Sequence, residues 1–201
     1  MIAIIDYGMG NIHSVNKALE VYGAKTLVTN KPADILRAEK AVLPGVGAFD
    51  GCLLEMEKQG LVAAINVYLG KGRPFLGICL GMQILFETSE EGKRKGLGVF
   101  KGKVLRFEQS NSFKVPHMGW NNLRHKGNCP LLKDIPDNSY VYFCHSYYPA
   151  PKDKDVIAAA CNYGTDFAAV VWQKNIYGVQ FHPEKSQKTG LAMIKNFVQE
   201  C

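Results

Sequence analysis

Short apolar runs alternate with amphipathic stretches through the first half of this chain, and few architectures accommodate that order. Residues 1–7 open with the apolar segment Ile2-Ala3-Ile4-Ile5 and end in a Gly-rich turn through Gly8 and Gly10. Ile12, Val15, Leu19 and Tyr22 then recur at helical spacing, with Asn11 placed to cap the helix and Gly23 to end it. Residues 24–29, 41–44 and 74–79 read as further strands. Residues 32–37 read as a short helix, 49–69 as one or two helices and 80–88 as another. Strands alternating with helices predict an α/β fold, a central, mostly parallel sheet with helices on both faces. Such sheets place their chemistry at the C-terminal ends of the strands.

The second half changes character. Residues 98–122 are strand-like and polar, with no helical period. Residues 140–148, 156–163, 167–173 and 176–181 are further strand candidates, and 189–199 closes the chain as a helix with Leu191, Ile194, Phe197 and Val198 on one face. A length of 201 residues without internal repeat or composition break predicts one domain spanning 1–201.

The bulk numbers exclude several classes of function. Hydrophobic residues make up 47% and charged residues 21%, as in soluble globular proteins. The net charge of +6 is not gathered in one block. Its densest stretch, Lys93-Arg94-Lys95 with Lys101, Lys103 and Arg106, reads as a solvated loop and strand edge rather than a nucleic-acid surface. No apolar run reaches the roughly 20 residues of a membrane span, and the first apolar segment is too short for a signal peptide. The six cysteines include no Cys-x-x-Cys pair, so no metal and no cofactor are expected. Reduced thiols in the cytoplasm are the natural reading.

One cysteine stands apart. Cys79 lies in Gly77-Ile78-Cys79-Leu80-Gly81, at the end of an apolar strand and the start of a helix. A Gly-x-nucleophile-x-Gly pattern needs that context, because the sharp turn strains the central residue and leaves no room for side chains two positions away. The thiol would project above the sheet at a helix N-terminus, where thiolate is favoured. For the other five cysteines, structural burial or plain surface exposure suffices.

His182 follows the strand at 176–181, within Gln180-Phe181-His182-Pro183-Glu184. If the segment stays extended, His182 and Glu184 project to the same side and can hydrogen-bond, with Pro183 stiffening the link. A Cys-His-carboxylate triad needs that arrangement: a base for the thiol proton and an acid to fix the base's tautomer. His13 and His125 read as surface residues, while His117 and His145 lie in aromatic, strand-like segments. The turn Pro44-Gly45-Val46-Gly47 follows the third strand and can aim backbone N–H groups into a site, with the N–H of Leu80 as a second donor. No Gly-Lys-Ser/Thr follows it, which argues against a phosphate loop.

Together these segments resemble the class I, triad-type glutamine amidotransferases. The resemblance rests on Asp6-Tyr7-Gly8-Met9-Gly10-Asn11, Pro44 to Phe49, Gly77 to Gln83, Pro116-His117-Met118-Gly119-Trp120-Asn121, His145 to Tyr148 and Gly178 to Ser186, in family order over nearly the whole chain. It implies a flavodoxin-like fold and conversion of glutamine to glutamate and ammonia through a thioester on Cys79, with His182 as base and Glu184 orienting it. It also implies oxyanion donors from Val46 and Leu80, and a glutamine pocket made by Gly45, Gly47, Gln83, Glu91, His145, Ser146 and Tyr147. Glu91 lies in a charged run where a solvated loop carboxylate is an equal reading.

The match is nearest to the branch whose partner is a separate (β/α)8-barrel cyclase that makes imidazole glycerol phosphate. A heterodimer with that cyclase is therefore expected, with Met9, Asn11, His117, Met118, Trp120 and Lys185 near the interface. Trp120 reads equally well as a core residue. Other amidotransferases of the class match the first and fourth segments less well. A non-enzymatic thiol protein on the same scaffold would have no need of His182-Pro183-Glu184.

Overall fold

The computed structural model describes residues 1–110, 112–125 and 127–201. Its first half alternates strand and helix: β1 (Ile2–Ile5), α1 (Ile12–Glu20), β2 (Thr26–Thr29), α2 (Pro32–Arg37), β3 (Lys40–Gly45), α3 (Phe49–Lys58), α4 (Leu61–Gly70) and β4 (Phe75–Cys79). A one-turn helix α5 (Leu80–Gln83) follows, then β5 (Phe86–Ser89), β6 (Phe100–Arg106), β7 (His117–Asn122), β8 (Arg124–His125), β9 (Tyr140–His145), β10 (Tyr147–Pro151), β11 (Ile157–Asn162), β12 (Asp166–Gln173), β13 (Ile176–Val179) and α6 (Gln187–Gln199).

The central sheet runs β2-β1-β3-β4-β13-β12-β11-β8. From β2 to β13 all pairings are parallel; β12, β11 and β8 extend the sheet antiparallel. Every residue of β1 and β4 is buried, as a sheet covered on both faces requires. The two-residue period of the strands sorts them into two cores. Ile2, Ile4, Val42, Leu76 and Ile78 pack with Val15 and Leu19 of α1 and with Met193, Ile194 and Phe197 of α6. Ala3, Ile5, Ala41, Leu43 and Phe75 pack with Ile35 of α2, Leu53 and Met56 of α3, and Ile65 and Tyr68 of α4. The mostly parallel α/β sheet with helices on both faces is thus the architecture found. Among the described residues, no helix is long and apolar enough to cross a membrane.

Two local expectations fail, each for a tertiary reason. The helix over 80–88 stops after a single turn, because Phe86–Ser89 pairs in parallel with β6 in a separate three-stranded sheet, β10-β6-β5. The segment 140–148 is not one strand. It breaks at Ser146, where the chain leaves β9, paired with β7, and enters β10, paired with β6. That break lies beside Cys79, and the three-stranded sheet and the β7–β9 ribbon together wall the site.

Candidate active site

Cys79 ends β4 in a strained positive-φ conformation, φ 55° and ψ −111°, which a residue with a side chain adopts only when its surroundings enforce it. The flanking glycines show how. A Cβ on Gly77 would lie 2.6 Å from the Gly81 carbonyl oxygen, and one on Gly81 would run into the Leu43 carbonyl of β3. The elbow therefore depends on both. It raises the thiol over the C-terminal edge of the sheet, where the residue is 7% exposed. With only one turn of helix behind it, α5 offers the sulfur little of the dipole that a long helix would supply.

His182 reaches the same place from β13, the parallel neighbour of β4. Its Nδ1 meets Glu184 Oε1 at 2.9 Å, with both side chains buried. The route differs from the extended link read from the sequence. Pro183–Lys185 forms a 3-10 turn, which brings Glu184 back beneath the ring. Ser186 holds that turn: its Oγ donates to the His182 carbonyl (2.7 Å) and accepts from the Tyr142 N–H (2.9 Å). Burial disfavours charge on His182, but the Cys79 sulfur and the Glu184 carboxylate beside it outweigh burial and hold the imidazole above its ordinary range. Nδ1–H is thereby the bond to Glu184, and Nε2 is left for the thiol.

A cavity of about 350 Å³ opens over these groups. It brings together Val46, Gly47, Cys79, Leu80, Gln83 and Glu91 with the 144–147 segment, His182 and Lys185. Gly45 lies just beneath its floor, in register with Cys79. Glu91 resolves its ambiguity toward a structured role: Oε2 accepts from the Phe49 N–H at the start of α3 (2.9 Å) while the residue lines the cavity. Asp50 answers from α3, accepting the N–H groups of Lys93 and Arg94. A larger cavity, about 550 Å³, lies nearby among Phe107, Phe113, Tyr148 and Tyr163, but its lining contains no cysteine or histidine.

His145 and His117 form a buried pair behind the cavity. His145 Nδ1 lies 2.8 Å from the Tyr147 carbonyl and can only donate there, so its Nε2 accepts from His117 Nδ1 at 3.1 Å. Burial pushes His117 down to about 4 and His145 to about 3, so both are neutral at pH 7. This corrects one expectation for the interface set. His117 is 3% exposed and stacks between Phe143 and Tyr163, because the period of β7 turns it inward and its neighbours Met118 and Trp120 outward. Met118, Trp120, Met9 and Lys185 are exposed, so Trp120 is not a core residue. Asn11 stands at the N-cap of α1 but leaves the cap unmade. Its Nδ2 reaches Glu184 Oε1 at 3.3 Å instead.

Residues 3–201 match the family model for class I glutamine amidotransferases. The chain belongs to that family. It is 52% identical to the imidazole glycerol phosphate synthase subunit HisH of Geobacter sulfurreducens, over 98% of this chain and 97% of that protein. It is 49% identical to subunit HisH 1 of Methanococcus maripaludis, over 99% of each. Solved structures share the fold at low identity. A glutamine amidotransferase matches with a TM-score of 0.75 at 17% identity over 98% of each chain. The PurLQS structure from Thermotoga maritima matches at 0.73 and 20%, over 98% of this chain and 96% of that one.

Within this glutamine amidotransferase chain, two buried polar residues at the site escaped the sequence reading. Ser186 reads as an ordinary polar residue before a helix. Gln180 lies two residues before His182, but in a bend after β13 rather than on an extended strand, so strand alternation does not mark it. Among the described residues, no group of three His, Cys, Asp or Glu side chains could hold a metal ion.

Proposed function

We propose that this chain is the glutaminase subunit of an imidazole glycerol phosphate synthase. In this reading it hydrolyses glutamine to glutamate and ammonia as one domain, 1–201, and passes the ammonia to a (β/α)8-barrel cyclase subunit. The observation that carries the reading is the convergence of Cys79 with the His182–Glu184 pair in one cavity, in a chain about half identical to HisH subunits along its whole length.

His182 Nε2 accepts the thiol proton, and the Cys79 sulfur attacks the carboxamide carbon of glutamine. The oxygen that becomes negative is met by the backbone N–H groups of Val46 and Leu80, both at the cavity wall. The C–N bond breaks as His182 returns its proton to the leaving nitrogen, and ammonia departs from a thioester. Water, deprotonated by His182, then attacks the thioester; the thiolate leaves and glutamate is released. Glu184 holds the ring in the productive tautomer and stabilises the imidazolium formed in both halves. Gly45, Gly47, Gln83, Glu91 and the 145–147 segment shape the pocket for the rest of the substrate.

The exposed side chains of Met9, Met118, Trp120 and Lys185, with Asn11 at their edge, are the surface we assign to the cyclase in a heterodimer. The cyclase uses the ammonia to make imidazole glycerol phosphate and aminoimidazole carboxamide ribotide in histidine biosynthesis. The six free thiols suit a reducing, cytoplasmic compartment.

The test is glutamate release from glutamine by the purified chain, alone and then with the matched cyclase and its nucleotide substrate. Strong stimulation by the partner is expected. Absence of hydrolysis by a folded, reduced complex would refute the assignment.

A further inference from the structure

Gln180 is fully buried beside Cys79, directly after β13 in the segment that leads to His182. Burying an amide without partners is costly, so where its two ends point is set by what they meet. Its Oε1 accepts from Gln83 Nε2 at 3.0 Å, and its Nε2 faces Cys79 Sγ at 3.7 Å. This orientation is fixed from outside. Gln83 Nε2 also meets the Tyr147 carbonyl at 2.9 Å, and a carbonyl can only accept. Gln83 must therefore present its nitrogen to both neighbours. Turning the Gln180 amide over would set two donors face to face and aim an oxygen at the sulfur.

Besides His182, the sulfur also faces the Cys144 carbonyl, 4.0 Å away, which can accept a hydrogen bond from a thiol but gives nothing to a thiolate. Gln180 is the complementary group. Its N–H can do little for a neutral thiol and strengthens when the sulfur carries negative charge. The one-turn helix after Cys79 leaves room for such a donor to matter.

We propose that Gln180 is a further catalytic residue of this site: its side-chain amide, held in one orientation by Gln83 and the Tyr147 carbonyl, donates a hydrogen bond to Cys79 Sγ and stabilises the thiolate. The proposal rests on Cys79 being the nucleophile. It acts wherever the sulfur is anionic, both before attack on glutamine and when the thioester collapses and the sulfur takes back its electron pair. Because Gln83 lines the glutamine cavity and also orients Gln180, a substrate contact to Gln83 would reach the sulfur through two hydrogen bonds.

The experiment is peptide-resolved alkylation of the full chain by iodoacetamide at pH 7, with Cys144 in the same cavity as internal reference. Gln180→Met keeps the volume and removes the donor. It should slow alkylation of Cys79 about tenfold, the size expected for one hydrogen bond to a charged acceptor, and leave Cys144 unchanged. Gln83→Met frees the Gln180 amide to rotate and should slow Cys79 by a smaller factor. The double variant should be no slower than Gln180→Met, because the two act through one bond. With the cyclase bound, Gln180→Met should lower kcat for glutamine hydrolysis far more than it changes KM, which a mere packing defect would not do selectively.

A wild-type Cys79 rate in folded Gln180→Met would overturn the proposal. If that variant does not fold, an unchanged Cys79 rate in Gln83→Met overturns it instead. A wild-type chain whose Cys79 is no more reactive than Cys144, and which does not hydrolyse glutamine, would remove the nucleophile itself and the proposal with it. That result is distinct from a reactive Cys79 indifferent to Gln180.

Discussion

Glu184 spends one oxygen on two partners, His182 at 2.9 Å and Asn11 at 3.3 Å, while its other oxygen is buried without a hydrogen-bond partner. Such a carboxylate orients its histidine more than it exchanges protons. Glu184→Gln should therefore lower glutamine hydrolysis less than His182→Ala, which removes the base and should cost about 10²–10⁴ in kcat. Equal losses in steady-state rates would contradict the orienting role. Cys79, His182 and Glu184 were legible in the sequence because each sits in a short local pattern, although a 3-10 turn rather than an extended link brings Glu184 to His182. The Asn11–Glu184 contact was not, since it joins residues 173 apart and uses a side chain whose type fits a helix cap equally well.

Elements show the same division between local and distant causes. The elbow could be read from its glycine pattern, although only the Gly77 clash, with the Gly81 carbonyl, lies within the turn. Gly81→Ala should lower the urea midpoint by an amount equivalent to about 1–3 kcal/mol, since the new methyl would press on the Leu43 carbonyl of β3; an unchanged midpoint would show that the elbow has slack. The length of α5 and the break at Ser146 could not be read locally. Both are decided by β6, whose edges claim Phe86–Ser89 on one side and Tyr147–Pro151 on the other. The closing helix was evident from its apolar face, but not its fastening: Lys40 Nζ, at the start of β3, donates to the carbonyls of Phe197 and Val198 at 2.9 Å each and to that of Cys201. Lys40→Met should destabilise the chain by about 1 kcal/mol, seen as a lower urea midpoint, by leaving those carbonyls without this donor.

For the whole molecule, the parallel half of the sheet was legible because its inner strands β1, β3 and β4 are apolar on both faces. The antiparallel half needed pairings that no period in the sequence reveals. The same buried construction sets a pH response. His117 and His145 resist protonation in the folded chain down to about 4 and about 3, whereas in the unfolded chain they titrate near 6.5. Below about 6.5 the unfolded state therefore binds more protons at these two sites, and stability falls as pH drops toward 4. His117 alone accounts for roughly 3 kcal/mol by the end of that range. His182, held above its ordinary range, works the other way: it stabilises below about 6.5 and loses that contribution at higher pH. In acid the buried pair outweighs it. Urea midpoints measured from pH 7 to pH 4 should fall, and His117→Asn should flatten the slope; a midpoint independent of pH in that range would contradict the neutral, buried pair.

The central claim is that one thiol separates two activities of the assembled synthase. It is tested most directly by measuring turnover of the Cys79→Ser chain in complex with the cyclase proposed as its partner, once with glutamine and once with free ammonia as the nitrogen source. The structure predicts that glutamine-dependent turnover is abolished and ammonia-dependent turnover stays near wild type, because Cys79 is buried at the elbow and is not itself among the exposed side chains assigned to the partner. Glutamine-dependent turnover that survives the substitution would contradict the account, because the nitrogen would then be released without the residue on which the whole site converges.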